Sequence, residues 1–199
     1  MTPNEETMAI EAEVKACVHR PEDVHARLSE WAKPESATYS DTYFDHDGQL
    51  DADDRELRVR EIRTGAGVTS LLTYKGPTLD AGSGSKAEYE TTVADAQMMR
   101  SILGQLGYTT TVAFEKECTN YTFEREGRSV LATVVRVPQI DGTFIEVETI
   151  ATSEDDLEGV LGTVRNVLRA LGIDTADETR ETYTAAVLAT LKNQPASHP

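Results

Sequence analysis

The chain has 199 residues, with 35 Asp and Glu against 19 Lys and Arg, a formal net charge of −16 and a pI near 4.6. That length suits one domain with a sizeable core. The acidity argues against a polynucleotide or an anionic membrane surface as partner, because both need basic faces to displace counterions. No apolar run approaches the roughly 20 residues that span a bilayer. The N-terminus lacks the positive start and apolar stretch of a signal peptide, and Cys17 and Cys118 form neither a zinc spacing nor a disulfide framework. A cytoplasmic protein is expected.

In chain order, residues 1–9 read as a tail. Residues 10–19 alternate with period two, as a strand does. Residues 21 to about 32 read as a helix, with Val24, Leu28 and Trp31 on one stripe and Pro21 near its start. The segment 45–56 holds six acids and one base, Arg55, and reads as a solvated loop. Strand patterns return at 56–63 and 68–76, then a flexible loop at Ala81-Gly82-Ser83-Gly84-Ser85, then a strand at 86–93. A helix from about 95 to 106 carries Met99, Ile102, Leu103 and Leu106 and stops at Gly107. Strands follow at 114–125, 129–137 and 143–150. A helix starts at Ser153, with Asp156 as capping partner, and ends at Gly172. A last helix spans about 176 to 191, before a tail over 192–199. Strands grouped between helices favour α+β with an antiparallel sheet over a doubly wound parallel fold, in one domain over 10–191.

Charge falls on single faces of these strands. Glu11, Glu13 and Lys15 oppose Ile10, Ala12 and Val14; Arg58 and Arg60 alternate with Leu57 and Val59; Lys86, Glu88 and Glu90 share a parity, as do Glu146 and Glu148. A sheet with one solvated face explains any single strand. Yet acids and bases segregate by strand, and four helical stripes need apolar sheet surface to cover. A curled sheet, apolar outside and charged inside, satisfies both. In such a lumen Glu11, Glu13, Glu146 and Glu148 are candidate Mg²⁺ or Mn²⁺ ligands. Lys15, Arg58, Arg60, Lys75 and Lys116 suit an oligophosphate. Acid, base and metal together describe a phosphoryl-transfer site.

The same residues resemble a known family. Glu11-Ala12-Glu13-Val14-Lys15 is similar to the N-terminal Glu-x-Glu-x-Lys signature of the CYTH superfamily, the triphosphate tunnel metalloenzymes. In the family's order follow Asp41-Thr42-Tyr43-Phe44-Asp45, Leu57-Arg58-Val59-Arg60, Thr73-Tyr74-Lys75-Gly76-Pro77 and Lys86-Ala87-Glu88-Tyr89-Glu90. Then come Lys116 to Tyr121, Gly142-Thr143-Phe144-Ile145-Glu146-Val147-Glu148 and Thr182-Tyr183. The resemblance implies an eight-stranded antiparallel β-tunnel wrapped by helices. It gives Glu11, Glu13, Glu146 and Glu148 the metal role, with Glu11, Glu13 and Glu148 catalytic. Lys15, Arg58, Arg60, Lys75, Lys86 and Lys116 take the triphosphate, while Glu88 and Glu90 hold these bases or a metal inside the lumen.

Two departures stand out. Cys118 occupies a position where the family often has arginine, and the stretch 131–138 holds no acid where many members carry a metal-binding Asp. Arg136 would restore the lost positive charge if it pointed inward. The resemblance implies a small-molecule triphosphate as partner and Mg²⁺ or Mn²⁺ as cofactor, with a homodimer left open. Three functions compete: an adenylate cyclase of class IV type, a triphosphatase, and a module that binds an oligophosphate without turning it over. The cyclase is preferred, with Tyr43, Phe44 and Tyr89 as aromatic candidates for the nucleoside end. His19, His25, His46 and His198 share no ligand spacing and read as surface residues, His46 being a candidate substrate contact. Cys17 and Cys118 read as small lumen fillers.

Overall fold

The computed structural model describes residues 9–80 and 82–193. The expected tails lie mostly outside them. Eight strands form one closed antiparallel barrel: β1 (Ala9–Cys17), β2 (Glu35–Asp45), β3 (Glu56–Thr64), β4 (Gly67–Thr78), β5 (Lys86–Thr92), β6 (Thr109–Arg125), β7 (Arg128–Arg136) and β8 (Phe144–Ala151). Around the barrel their order is β1-β5-β4-β3-β2-β6-β7-β8, and β8 closes onto β1. Five helices accompany them: α1 (Pro21–Trp31), α2 (Gln49–Ala52), α3 (Ala96–Gln105), α4 (Glu154–Ala170) and α5 (Tyr183–Asn193). The α+β tunnel expected from the sequence is the fold observed.

α4 buries Leu157, Val160, Leu161, Val164, Val167 and Leu168 against the outer faces of β1 and β8. Ser153 caps it, its side chain accepting the Asp156 N–H at 3.3 Å, which satisfies an otherwise orphan donor of the first turn. Ile10, Ala12, Val14, Ile145 and Val147 complete this outer core, and α1 adds Val24 and Leu28. α3 covers a smaller patch through Ala96 and Leu103, over Leu57 and Val59.

Three elements differ from the sequence expectation. β2 escapes a period-two reading because its outer positions Ser36, Thr38, Ser40 and Thr42 are small and polar, while its inner ones mix Ala37, two tyrosines and Asp41. The acidic segment after it is not all loop. Asp45 accepts the N–H groups of Leu50 (3.0 Å) and Asp51 (3.1 Å) and so starts the single turn α2. At the C-terminal side, Thr175–Asp177 is a separate 3₁₀ turn and α5 begins only at Tyr183. Between them Thr179 N donates to the Lys15 carbonyl at 2.9 Å, and Ala16 bridges to Glu178. These edge contacts to β1 hold residues 178–179 extended and delay the helix.

The lumen is also not charged throughout. Most of the charge occupies the contiguous arc β8, β1, β5, β4 and β3, with Lys116 of β6 and Asp41 of β2 buried beyond it. The facing arc of β2, β6 and β7 places Tyr39, Tyr43, Phe114, Cys118 and Val135 inside, and this apolar cluster continues onto Tyr183 and Val187 of α5. Apolar residues on both faces of β6 and β7 erase the parity signal that β1, β3 and β8 display.

Candidate active site

The register of the ladders assembles the site. β1 and β8 pair so that Glu13 lies opposite Glu148 and Lys15 opposite Glu146. β4 joins β3 with Lys75 opposite Glu56 and Thr73 opposite Arg58, and joins β5 with Lys75 opposite Glu88. All these side chains fall on the inner parity. Of these, Glu13, Lys15, Glu56, Arg58, Lys75 and Glu146 line a cavity of about 340 Å³ at the end of the barrel where β1, β2 and β4 finish, together with Tyr183 of α5, while Glu148, Thr73 and Glu88 lie outside that lining.

Three carboxylates converge: oxygens of Glu11, Glu13 and Glu148 lie within 4.8 Å of one another. Burial and the neighbouring Glu146 carboxylate push Glu13 up to about 7. Burial with Glu11 and Glu13 beside it pushes Glu148 well above the usual carboxylate range. Glu11 goes the other way: burial opposes its ionisation, but the ion pair and hydrogen bond from Lys75 bring it down to about 2. Clustered carboxylates whose protons are held against mutual repulsion, with an all-oxygen donor set, fit a hard divalent cation. Glu146 stands one step along β8, its Oε2 3.7 Å from Lys116 Nζ, outside that cluster of three.

The bases occupy four kinds of environment. Lys75 sits among carboxylates, with Glu11 as hydrogen-bond partner and Glu88 at 2.9 Å and Glu13 at 3.9 Å. Arg60 is clamped from below: its Nε and Nη2 donate to Asp41 at 2.6 and 2.7 Å, and its guanidinium lies 4.7 Å from the Tyr39 ring centroid. Burial would raise the Asp41 pKa, yet Arg60 holds it well below the usual carboxylate range. Arg58 is buried as well, but its Nε has no hydrogen-bond partner among the described residues. A buried charged group with a free donor is ready for an anion. Lys86 donates to the Asp54 carbonyl (2.8 Å) and carboxylate (2.9 Å), with Glu56 at 3.3 Å. Lys15 donates to the Glu181 carbonyl, and both Lys15 and Lys116 lie on the Tyr183 ring.

Several sequence expectations change here. Glu90 is exposed and accepts from Thr73 Oγ1 at 2.7 Å, so it holds no base. Arg136 points outward and lies 4.0 Å from Glu117 at the surface, so it does not restore lumen charge. Thr133 is the inward residue of β7 opposite Glu146, donating to Asn120 Oδ1 (3.1 Å), whose amide donates to the Tyr39 hydroxyl (2.8 Å). A neutral chain thus occupies the wall opposite the acids. Phe44 packs outside with Leu50 and Leu57 and lines the groove beyond the tunnel cavity, Tyr89 is exposed, and Tyr43 is the one of the three aromatic candidates that lines the tunnel cavity itself. His46 packs on Tyr108, at 5.8 Å between ring centroids, and lines no part of the tunnel cavity. His19 contacts Asp177 and His25 the Tyr121 hydroxyl, while His198 lies outside the described residues. Cys118 is buried in the apolar arc and Cys17 is half-buried, as fillers would be.

Residues that charge parity did not reveal also shape the site. The glycine-serine segment is not merely flexible: Ser83 and Ser85 are buried, and Ser85 Oγ accepts the Glu13 N–H at 3.3 Å. β1 pairs with β5 only as far as Glu11, which leaves that N–H free. Asp41 and Tyr183 lie in the motifs that carry the resemblance but their roles depend on partners distant in sequence, and Asp54 lies in no such motif.

The site is a closed barrel with carboxylates on one wall and guanidinium groups on the next. The chain belongs to the CYTH domain family, whose model matches residues 9–183. It is 28% identical over 144 residues to a Methanocaldococcus jannaschii protein that carries the provisional name adenylate cyclase, covering 72% of this chain and 77% of that one. Among solved structures it is similar to a Pyrococcus horikoshii OT3 protein, with a TM-score of 0.78 and 25% identity over 90% of this chain and 98% of that one. A Hippeastrum protein, provisionally named an adenylyl cyclase and described as having a dominant triphosphatase activity, has a TM-score of 0.61 at 18% identity, covering 92% and 96% of the two chains. No helix among the described residues is long and apolar enough to cross a membrane.

Proposed function

We propose that this protein is a metal-dependent enzyme that holds a nucleoside triphosphate in the tunnel and cyclises it, releasing pyrophosphate. The observation that carries this reading is the three-carboxylate cluster, of which Glu13 lines the tunnel cavity together with Arg58, whose buried Nε has no hydrogen-bond partner among the described residues. Arg58, Arg60 and Lys75 would grip phosphate oxygens, the arginines through paired donors. Glu11, Glu13 and Glu148 would hold the cation, which when bound supplies charge neutralisation at the phosphates.

Two features favour a substrate with an organic end. The tunnel cavity continues past Tyr43, Glu56, Thr182 and Thr184 into a groove of about 650 Å³ floored by Leu57, Val112, Ala185 and Leu188. Thr133 is a neutral inward residue where an acid would help hold a second cation, and its neutrality should hurt water activation at the terminal phosphate at least as much as intramolecular attack. In the cyclase reaction the ribose 3′-hydroxyl attacks the α-phosphorus, the bond to the bridging oxygen breaks and pyrophosphate leaves. The provisional name of the Methanocaldococcus relative agrees with this reading.

The description of the Hippeastrum protein favours the second reading, hydrolysis of a triphosphate. Incubation with ATP and Mn²⁺ followed by chromatography separates the two. Cyclic AMP and pyrophosphate forming faster than orthophosphate is the expected result. ADP and orthophosphate as main products, or tripolyphosphate cleavage without any cyclic nucleotide, would make the protein a triphosphatase. Tight binding of ATP with no turnover would leave a binding module.

A further inference from the structure

Tyr183 opens α5 and projects into the tunnel cavity. Its ring is held from several sides: edge-on to Phe144 at 5.5 Å between centroids, with Lys15 Nζ 4.3 Å and Lys116 Nζ 5.0 Å from the ring centroid. The residue is 7% exposed, yet its hydroxyl is buried and has no hydrogen-bond partner among the described residues. Native proteins rarely bury a hydroxyl in this state, because the lost water contacts go uncompensated. The Glu146 carboxylate lies close enough to act on it, without forming a hydrogen bond of regular geometry. Glu146 and Glu13 disfavour a phenolate beside them, so after burial itself they keep the group protonated and therefore a donor.

We infer that the Tyr183 hydroxyl donates a hydrogen bond to a non-bridging oxygen of the bound oligophosphate, taking the tunnel to be the oligophosphate site proposed above. An anion drawn to the ammonium groups of Lys15 and Lys116 arrives beside the ring that both contact. There the phenol gains the acceptor it lacks. The contact also ties α5 to the ligand, since Tyr183 is its first residue.

Tyr183→Phe removes the hydroxyl and keeps the ring that Phe144 and the two lysines pack on. Titration calorimetry with inorganic tripolyphosphate in metal-free buffer, with Arg58→Ala measured in parallel, reads the effect. Tyr183→Phe should bind about tenfold more weakly, the loss expected for a hydrogen bond to a charged oxygen. The ligand-free variant should melt at a higher temperature, because an unsatisfied buried donor has gone. A purely structural hydroxyl would instead lose stability on removal, and that result would overturn the inference. So would unchanged tripolyphosphate binding while Arg58→Ala weakens it. Unchanged binding in both variants would overturn the tunnel reading itself.

Discussion

Glu13 lies opposite Glu148 across the β1–β8 ladder, with Glu11 two residues back on the same face. Folding therefore brings together carboxylates that the unfolded chain keeps apart. Glu13 binds its proton more tightly in the folded state, at about 7 against an ordinary 4.5. Its contribution is thus full below about pH 4.5 and is lost as the pH rises through about 7. Glu13→Gln should remove that loss. In urea melts without metal, the variant should gain on the wild type between pH 5 and pH 8 by on the order of a few kcal/mol, and Mn²⁺ should stabilise it far less. Parallel pH profiles for the two proteins would contradict this. Arg58 and Arg60 make the complementary contrast. Asp41→Asn leaves the buried Arg60 charge uncompensated and should cost about 3–5 kcal/mol of stability in denaturant melts. Arg58 makes no close ion pair among the described residues but sits in the field of Asp41, Glu88 and Glu11, so Arg58→Ala should cost some stability in the same melts while weakening tripolyphosphate binding by about 2–5 kcal/mol. Binding unchanged within about 0.5 kcal/mol would show that the buried Arg58 does not contact the phosphate.

At the scale of elements, α4 and α5 differ in how they are held. α4 buries seven residues against the barrel, and α5 buries only Tyr183 and Val187. Local opening follows buried contact, so α5 amides should exchange hydrogen much faster than α4 amides in ligand-free protein. Tripolyphosphate should slow exchange in α5 and leave α4 unchanged; equal protection in both helices before ligand is added would refute this. The sequence made α4 plain because six apolar residues recur at helical spacing behind a serine cap. β2 and the true start of α5 were hidden for physical reasons. β2 alternates aromatic and small polar residues without an apolar face, and the start of α5 is set by contacts with β1, some 165 residues away in sequence. β1, β3, β5 and β8 could be read because their two faces differ in kind, charged against apolar. β6 showed its lumen side only through Lys116 and Cys118, and β7 showed none, because apolar residues lie on both faces of these strands.

For the whole molecule, closure of the barrel turns strand parity into a site. The lumen faces of β1, β3, β4, β5, β6 and β8 bring acids and bases close to balance, whereas the chain as a whole carries −16. A free oligophosphate adds further negative charge to that balance, and a divalent cation offsets it. Mg²⁺ and tripolyphosphate together should therefore raise the melting temperature more than the sum of their separate effects, since each creates part of the other's site. The central claim is that one cation sits among Glu11, Glu13 and Glu148 with phosphate against Arg58 and Arg60. Anomalous scattering from crystals grown with Mn²⁺ and tripolyphosphate tests it most directly. The account predicts a manganese peak within coordination distance of those three carboxylates and phosphate density reaching the Arg58 guanidinium. A tunnel without manganese, or tripolyphosphate bound outside the barrel, would contradict it.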